Sequence, residues 1–131
     1  MLIVIDSSAA LRASLSSRVR DDLARHELIG PPLLWSEVFS AVHEALWRRE
    51  LNSAHATSTL VGFGKLGIRR RSPARLHGET FAMATELGWA KTYDAEFLAL
   101  ARLEDALVLT TDSRLRRGAD RTGLVIDPSD L

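Results

Sequence analysis

Four carboxylates, Asp6, Glu37, Asp94 and Asp112, lie far apart in the chain but at positions where acids can do chemistry. Asp6 ends the apolar run Leu2-Ile3-Val4-Ile5, and Asp112 follows a second such run from Ala106 to Thr110. In an open parallel sheet, ligands bind outside the carboxyl ends of the strands, where the strand order reverses. Glu37 falls between Leu33 and Ala41 on the margin of a helical apolar face, so its carboxylate needs a partner. Asp94 heads a stripe that continues through Phe97, Leu98 and Ala101. Each acid taken singly is as well explained by a helix cap, a turn or a dipole-stabilised surface group. Taken together they repel and raise one another's pKa, so an ionised cluster calls for a cation. A set of oxygen donors suits Mg²⁺ or Mn²⁺, whereas zinc would call for His or Cys.

The elements that must hold these acids alternate between strand and helix. Leu2–Ile5 reads as a strand covered on both faces, followed by short helices over Ser8–Ala13 and Ser16–His26 and a brief strand at Glu27–Ile29 before Gly30-Pro31-Pro32. Pro32–Glu50 is the clearest helix, with Leu34, Val38, Ala41, Val42, Ala45 and Leu46 on one side. Asn52-Ser53 offers a cap for a helix to about Phe63, and Ile68–Arg70 reads as a third strand. Helices follow over Ala74–Leu87, closed by Gly88, and from Thr92 onward. The last two strands are Ala106–Thr110 and Leu124–Ile126. This alternation predicts a three-layer α/β/α sandwich around a mainly parallel sheet of about five short strands, in one domain spanning 1–131.

Composition narrows the classes of function. Seventeen basic residues balance seventeen acidic ones, so any contact with a polyanion must be local. The absence of cysteine removes disulfides, thiolate nucleophiles and cysteine-ligated metals. The opening MLIVID lacks a basic segment and is too short for a signal sequence, and no apolar run is long enough to span a bilayer. The expectation is a soluble, cytoplasmic protein that does not engage a membrane.

The segments VIDSS, LLWSEVFSAVHEAL, YDAEFLALA and LVLTTDSRL, in this order and spacing, resemble the PIN-domain ribonucleases. In length and layout the chain is similar to the VapC toxins of bacterial type II toxin–antitoxin pairs. The resemblance spans nearly the whole chain and is weakest from Asn52 to Arg75, where only the helical layout matches. It implies that Asp6, Glu37, Asp94 and Asp112 are the four site acids, with Thr110 matching a polar residue two places before the last and Ser7 or Ser8 supporting the first. It also implies Mg²⁺ or Mn²⁺ as cofactor, hydrolysis of RNA such as tRNA or ribosomal RNA, a VapB-like antitoxin over the cleft, and a homodimer.

On that reading Asp6, Asp94 and Asp112 hold metal directly or through water, and Glu37 completes the shell or orients the attacking water. Arg114, Arg116 and Arg117, with Arg121, are the candidate phosphate contacts, and Arg69, Arg70, Arg71 and Arg75 read as a solvated face. Trp35, Phe39, Leu46 and Trp47 crowd one helix, as a docking surface or as core. Other readings fit less well. His43-Glu44 is not followed by His at position 47, so the two-histidine zinc motif is missing. A receiver-type module would show paired acids after the first strand, and a haloacid-dehalogenase-like phosphatase would show Asp where Ser8 stands. An RNA-processing nuclease outside the toxins, or an α/β binding module whose acids are only caps, remains as the alternative.

Overall fold

Residues Leu2–Ile5 form β1, the middle strand of a five-stranded sheet in a computed structural model that describes residues 1–131. Ile3, Val4 and Ile5 are fully buried, as an unbroken β-branched run requires when both faces of a sheet are covered. The other strands are β2 (Glu27–Gly30), β3 (Arg69–Arg70), β4 (Leu107–Leu109) and β5 (Val125–Ile126). Their order is β3-β2-β1-β4-β5, and every neighbouring pair is parallel. The chain builds outward from β1 through β2 to β3 and then crosses back to lay β4 against the other side of β1. The order therefore reverses between β1 and β4, the place where open parallel sheets offer a ligand crevice at the carboxyl ends of their strands.

Seven helices supply the outer layers: α1 (Ser7–Ser14), α2 (Ser17–Leu23), α3 (Pro32–Trp47), α4 (Ser53–Gly64), α5 (Leu76–Leu87), α6 (Tyr93–Glu104) and α7 (Ser113–Ala119). Helices α1, α3 and α4 pack on one another, while α5 pairs with α6 and α6 lies against β1 and β4. The result is the expected α/β/α sandwich. Leu98, Ala99, Leu100 and Ala101 are fully buried, so α6 is enclosed through its middle and carries its charges in the first and last turns.

Three helices are shorter than the periodicity predicts, whereas the first runs one residue further at each end. The second helix ends at Leu23 rather than His26, the third at Trp47 rather than Glu50, and the fifth begins at Leu76 rather than Ala74. Arg49 adopts a left-handed conformation just beyond α3, a break that hydrophobic spacing does not report. Helix α7 has no counterpart in the sequence reading. It is only seven residues long and holds two buried side chains, Leu115 and Ala119, too few for a periodic signal.

One contact fixes how α4 meets α1. A Cβ on Gly62 would stand 2.2 Å from the carbonyl oxygen of Ser14, and the Arg20 guanidinium donates to that same oxygen at 2.9 Å and to the Ala13 carbonyl at 3.0 Å. Arg20 thus satisfies carbonyls at the end of α1 that have no partner within the helix. Because the obstacle is backbone, Gly62→Ala must push the helices apart, and a loss of about 1–3 kcal/mol is expected in urea unfolding. An unchanged midpoint would show that the α1–α4 contact yields freely.

Candidate active site

Asp6 emerges directly from β1 and is 4% exposed. Its Oδ1 accepts from the Ser8 hydroxyl at 2.7 Å and from the Ala9 N–H at 2.9 Å, and its Oδ2 accepts from the Thr110 hydroxyl at 2.5 Å. The acid is therefore both the N-cap of α1 and the centre of a network that joins β1 to β4. Thr110 itself accepts from the Asp112 N–H at 3.0 Å, and the Ser8 hydroxyl accepts from the Thr111 N–H at 3.0 Å. Burial pushes the Asp6 carboxyl above its ordinary value. Hydrogen bonds from Thr110, Ala9 and Ser8 pull it back, and the charge of Asp112 adds a further upward push.

Asp112 caps α7, its Oδ1 accepting from the Arg114 and Leu115 N–H groups at 2.9 and 3.3 Å. Both strand-end acids thus face the positive end of a helix, where a carboxylate is favoured. The cap and site readings, alternatives in the sequence, are compatible here because each cap uses Oδ1 and leaves Oδ2 for other partners.

Glu37 reaches the crevice from α3. Its Oε1 is buried without any hydrogen-bond partner, and burial raises its pKa most strongly. The Ser7 hydroxyl lowers that value, and the charges of Asp94, Asp6 and Glu96 raise it. The serines therefore divide the work: Ser8 holds Asp6, and Ser7 stands by Glu37 rather than by the first acid. Asp94 lies in the first turn of α6 and is exposed. The N-cap there is Thr92, which corrects the cap reading of Asp94.

These electrostatic couplings join the four acids into one group, Asp112 to Asp6, Asp6 to Glu37, and Glu37 to Asp94. No three of them, however, stand close enough to cage a cation by themselves. The residues still fit a hard divalent ion on chemical grounds. The donors are all oxygens, as Mg²⁺ or Mn²⁺ prefers, and a buried carboxylate oxygen of Glu37 lacks a donor.

Three groups at this crevice escaped the sequence reading. Glu96 is half-buried, with its pKa raised by burial and lowered by His77, whose Nε2 is 3.7 Å away. Its spacing of four from the buried Leu100 was the available signal. Arg12 borders a polar hollow of about 370 Å³ beside Asp112, together with Thr111, Ser113, Arg116 and Asp127. Lys91 lines a separate cleft with Glu37 and Asp94. Nothing local in the sequence singles out Arg12 or Lys91.

The arginines sort by partner. Arg116 is paired with Asp127 and lies 3.8 Å from Asp130, so its charge is largely answered within the chain. Arg114 is exposed and only 4.0 Å from Asp112, and Arg117 is exposed. Arg121 donates to the Glu86 carbonyl. On the other edge, Arg69 pairs with Glu27, Arg71 with Glu104, and Arg70 lies 4.5 Å over the Trp35 ring. That face is engaged with the protein's own groups.

The raised pKa of Glu37 has a measurable sign. The fold binds this proton more readily than the unfolded chain, so the group's stabilising contribution is full below the ordinary value of 4.5 and is lost as pH rises through the raised one. Glu37→Gln stays neutral throughout. In EDTA its melting temperature is expected to gain on wild type as pH rises from about 4.5 to 8. A constant difference between the two would show that Glu37 is not penalised by burial.

The parallel sheet flanked by helices on both faces defines a PIN-like α/β/α scaffold, and solved structures share that fold. A protein from Pyrobaculum aerophilum aligns with TM-score 0.74 at 18% identity, over 99% of this chain and 91% of its own. VapBC2 from Rickettsia felis, solved bound to a promoter DNA fragment, aligns with TM-score 0.71 at 12% identity, over 97% and 98%. No protein-family model matches. A VapC ribonuclease of Mycobacterium bovis and ribonuclease VapC9 of Mycobacterium tuberculosis are each 30% identical over 115 residues, 87% of this chain and 88% of theirs. The chain belongs to the VapC ribonuclease family of PIN-domain proteins.

Proposed function

We propose that the chain is a metal-dependent endoribonuclease toxin that hydrolyses RNA phosphodiester bonds at the β1/β4 crevice and is silenced by a cognate VapB-like antitoxin. The observation that carries this reading is the buried Asp6, held by Thr110 and Ser8 at the switch point and electrostatically coupled to two further acids. Such a concentration of carboxylate is costly to a fold unless it serves a cation. Asp6, Asp94 and Asp112 would hold Mg²⁺ or Mn²⁺ directly or through water. When bound, that ion would lower the pKa of a water and offset charge building on the phosphate.

The chain's own residues do the rest. Thr110 and Ser8 fix the Asp6 carboxylate, so its acceptor direction is set before substrate arrives. Glu37, with a buried and unpartnered oxygen and a raised pKa, is suited to orient the attacking water and take its proton. Arg12, Arg114 and Arg117 are exposed cations available to phosphates, whereas Arg116 contributes less because Asp127 and Asp130 engage it.

The outer side of α3 suits a protein partner, either the antitoxin or a second subunit. Trp47 is 80% and Phe39 50% exposed, while Trp35 and Leu46 are half-buried, and the Phe39 ring lies edge-on to Phe63 at 6.4 Å. No helix is long and apolar enough to cross a membrane.

The test is cleavage of total RNA by the purified chain with Mg²⁺ or Mn²⁺ and with EDTA. Cleavage that stops in EDTA and on adding the antitoxin supports the reading. Cleavage indifferent to EDTA would remove the metal, and none on any RNA would remove the activity.

A further inference from the structure

A cleft of about 570 Å³ is lined by Trp89, Lys91, Tyr93 and Arg114 together with Glu37 and Asp94. Its size lies within the roughly 300–1,000 Å³ of small-ligand sites. Tyr93 opens α6 and is 59% exposed, its hydroxyl making no hydrogen bond within the chain. Trp89 is held more firmly. Gly88 turns the chain in a left-handed conformation, the Trp89 N–H donates to the Ala84 carbonyl at 2.9 Å, and the indole rests on Gly118, where a Cβ would stand 3.2 Å from Cζ2. Glycine in α7 thus leaves room for an aromatic ring beside the acids. Lys91 makes no ion pair, and Arg114 only a distant one with Asp112.

An exposed aromatic ring, a second ring lining the same cleft, one unpaired cation and one only distantly paired match what an unpaired nucleotide requires. Every base has a face that stacks on an aromatic side chain, and its phosphates seek the cations. A base within a duplex has both faces covered by its neighbours and cannot take such a place. We infer that this cleft is a base-stacking subsite in which an unpaired nucleotide flanking the scissile bond stacks on Tyr93 against Trp89, with Lys91 and Arg114 on its phosphates. This assignment rests on the ribonuclease reading and restricts the substrate to RNA that is unpaired next to the cleavage point. Tyr93 is a positioning and specificity residue here, distinct from the acids that perform the chemistry.

The test compares cleavage of a short single-stranded RNA containing a mapped site, by wild type, Tyr93→Ala and Tyr93→Phe. Each substrate is supplied intact and with an abasic nucleotide next to the scissile bond. Tyr93→Ala is expected to raise KM roughly five- to hundredfold, the range of base–aromatic stacking, with a smaller change in kcat. Tyr93→Phe, which keeps the ring, should restore wild-type KM. The abasic substrate should cost wild type a similar factor and cost Tyr93→Ala little more, because both changes remove the same contact.

Independent, multiplying effects of variant and abasic site would overturn the inference, as would an unchanged KM in Tyr93→Ala. A Tyr93→Ala variant that cleaves normally but no longer binds the antitoxin would assign the cleft to a protein segment instead. If wild type cleaves no RNA, the ribonuclease reading itself fails and the subsite with it. That outcome is distinct, because it appears before any variant is compared.

Discussion

Asp6→Asn is expected to lower metal-dependent RNA cleavage by roughly 10²-fold or more while leaving the fold intact. The reason lies in what the substitution keeps and removes. The Asn carbonyl oxygen can still accept from the Ala9 N–H and the Ser8 hydroxyl, so the cap of α1 survives. The amide nitrogen takes the place of the oxygen that accepts from Thr110, and the negative charge is lost. Thr110 must then turn its hydrogen away and accept from the amide as well as from the Asp112 N–H, so the short bond that fixed the carboxylate is reversed. Charge and geometry are lost together at the one acid that is nearly fully buried. Far-ultraviolet circular dichroism and a melt close to wild type, with cleavage gone, would match this account. Cleavage within a few-fold of wild type would move the chemistry away from Asp6.

Phe97→Ala should remove about 3–5 kcal/mol of stability. Phe97 is 1% exposed and heads the largest fully buried side chains, in a helix whose neighbours Leu98 to Ala101 are equally enclosed. A cavity there cannot be filled from solvent-side groups, because α5, β1 and β4 close around α6. Against a total of roughly 5–15 kcal/mol for a domain, the loss is large, and the melting temperature should fall by about 10 °C or more. The same helix carries Asp94 and Glu96 in its first turn, so a loosened α6 would also weaken the site that it helps to build. Urea unfolding should show a lower midpoint with an unchanged slope. A loss below about 1 kcal/mol would mean that α6 repacks, contrary to the enclosed core seen around it.

The legible parts of the fold were those with a local cause. An unbroken β-branched run ending on an acid defines β1, and a cap at Asn52 with an ordered His55 N–H starts α4. Gly88, at a positive φ, ends α5 as its position implied. Helix α7 is illegible because seven residues with two buried side chains carry no period, although its cap, Asp112, stands out as an acid at a strand end. The strand-end positions of Asp6 and Asp112 are legible from sheet rules, whereas Asp94 as a candidate rests on family order and Glu96 has only its spacing of four from the buried Leu100.

The amino-acid sequence by itself determined the alternation of strands and helices and the parallel sheet, since these follow from periodicity, caps and order along the chain, while the four candidate acids came from strand ends and a helix margin together with the family resemblance. Only the tertiary structure decided what each acid meets. It set Asp6 between Ser8 and Thr110, 102 residues apart in sequence, and gave Ser7 to Glu37. It also bound Arg116 to Asp127 and set Trp89 on Gly118 beside Tyr93. The physical reason is that desolvation, ion pairing and hydrogen bonding depend on distances between side chains that folding alone brings together, and no local pattern encodes those distances.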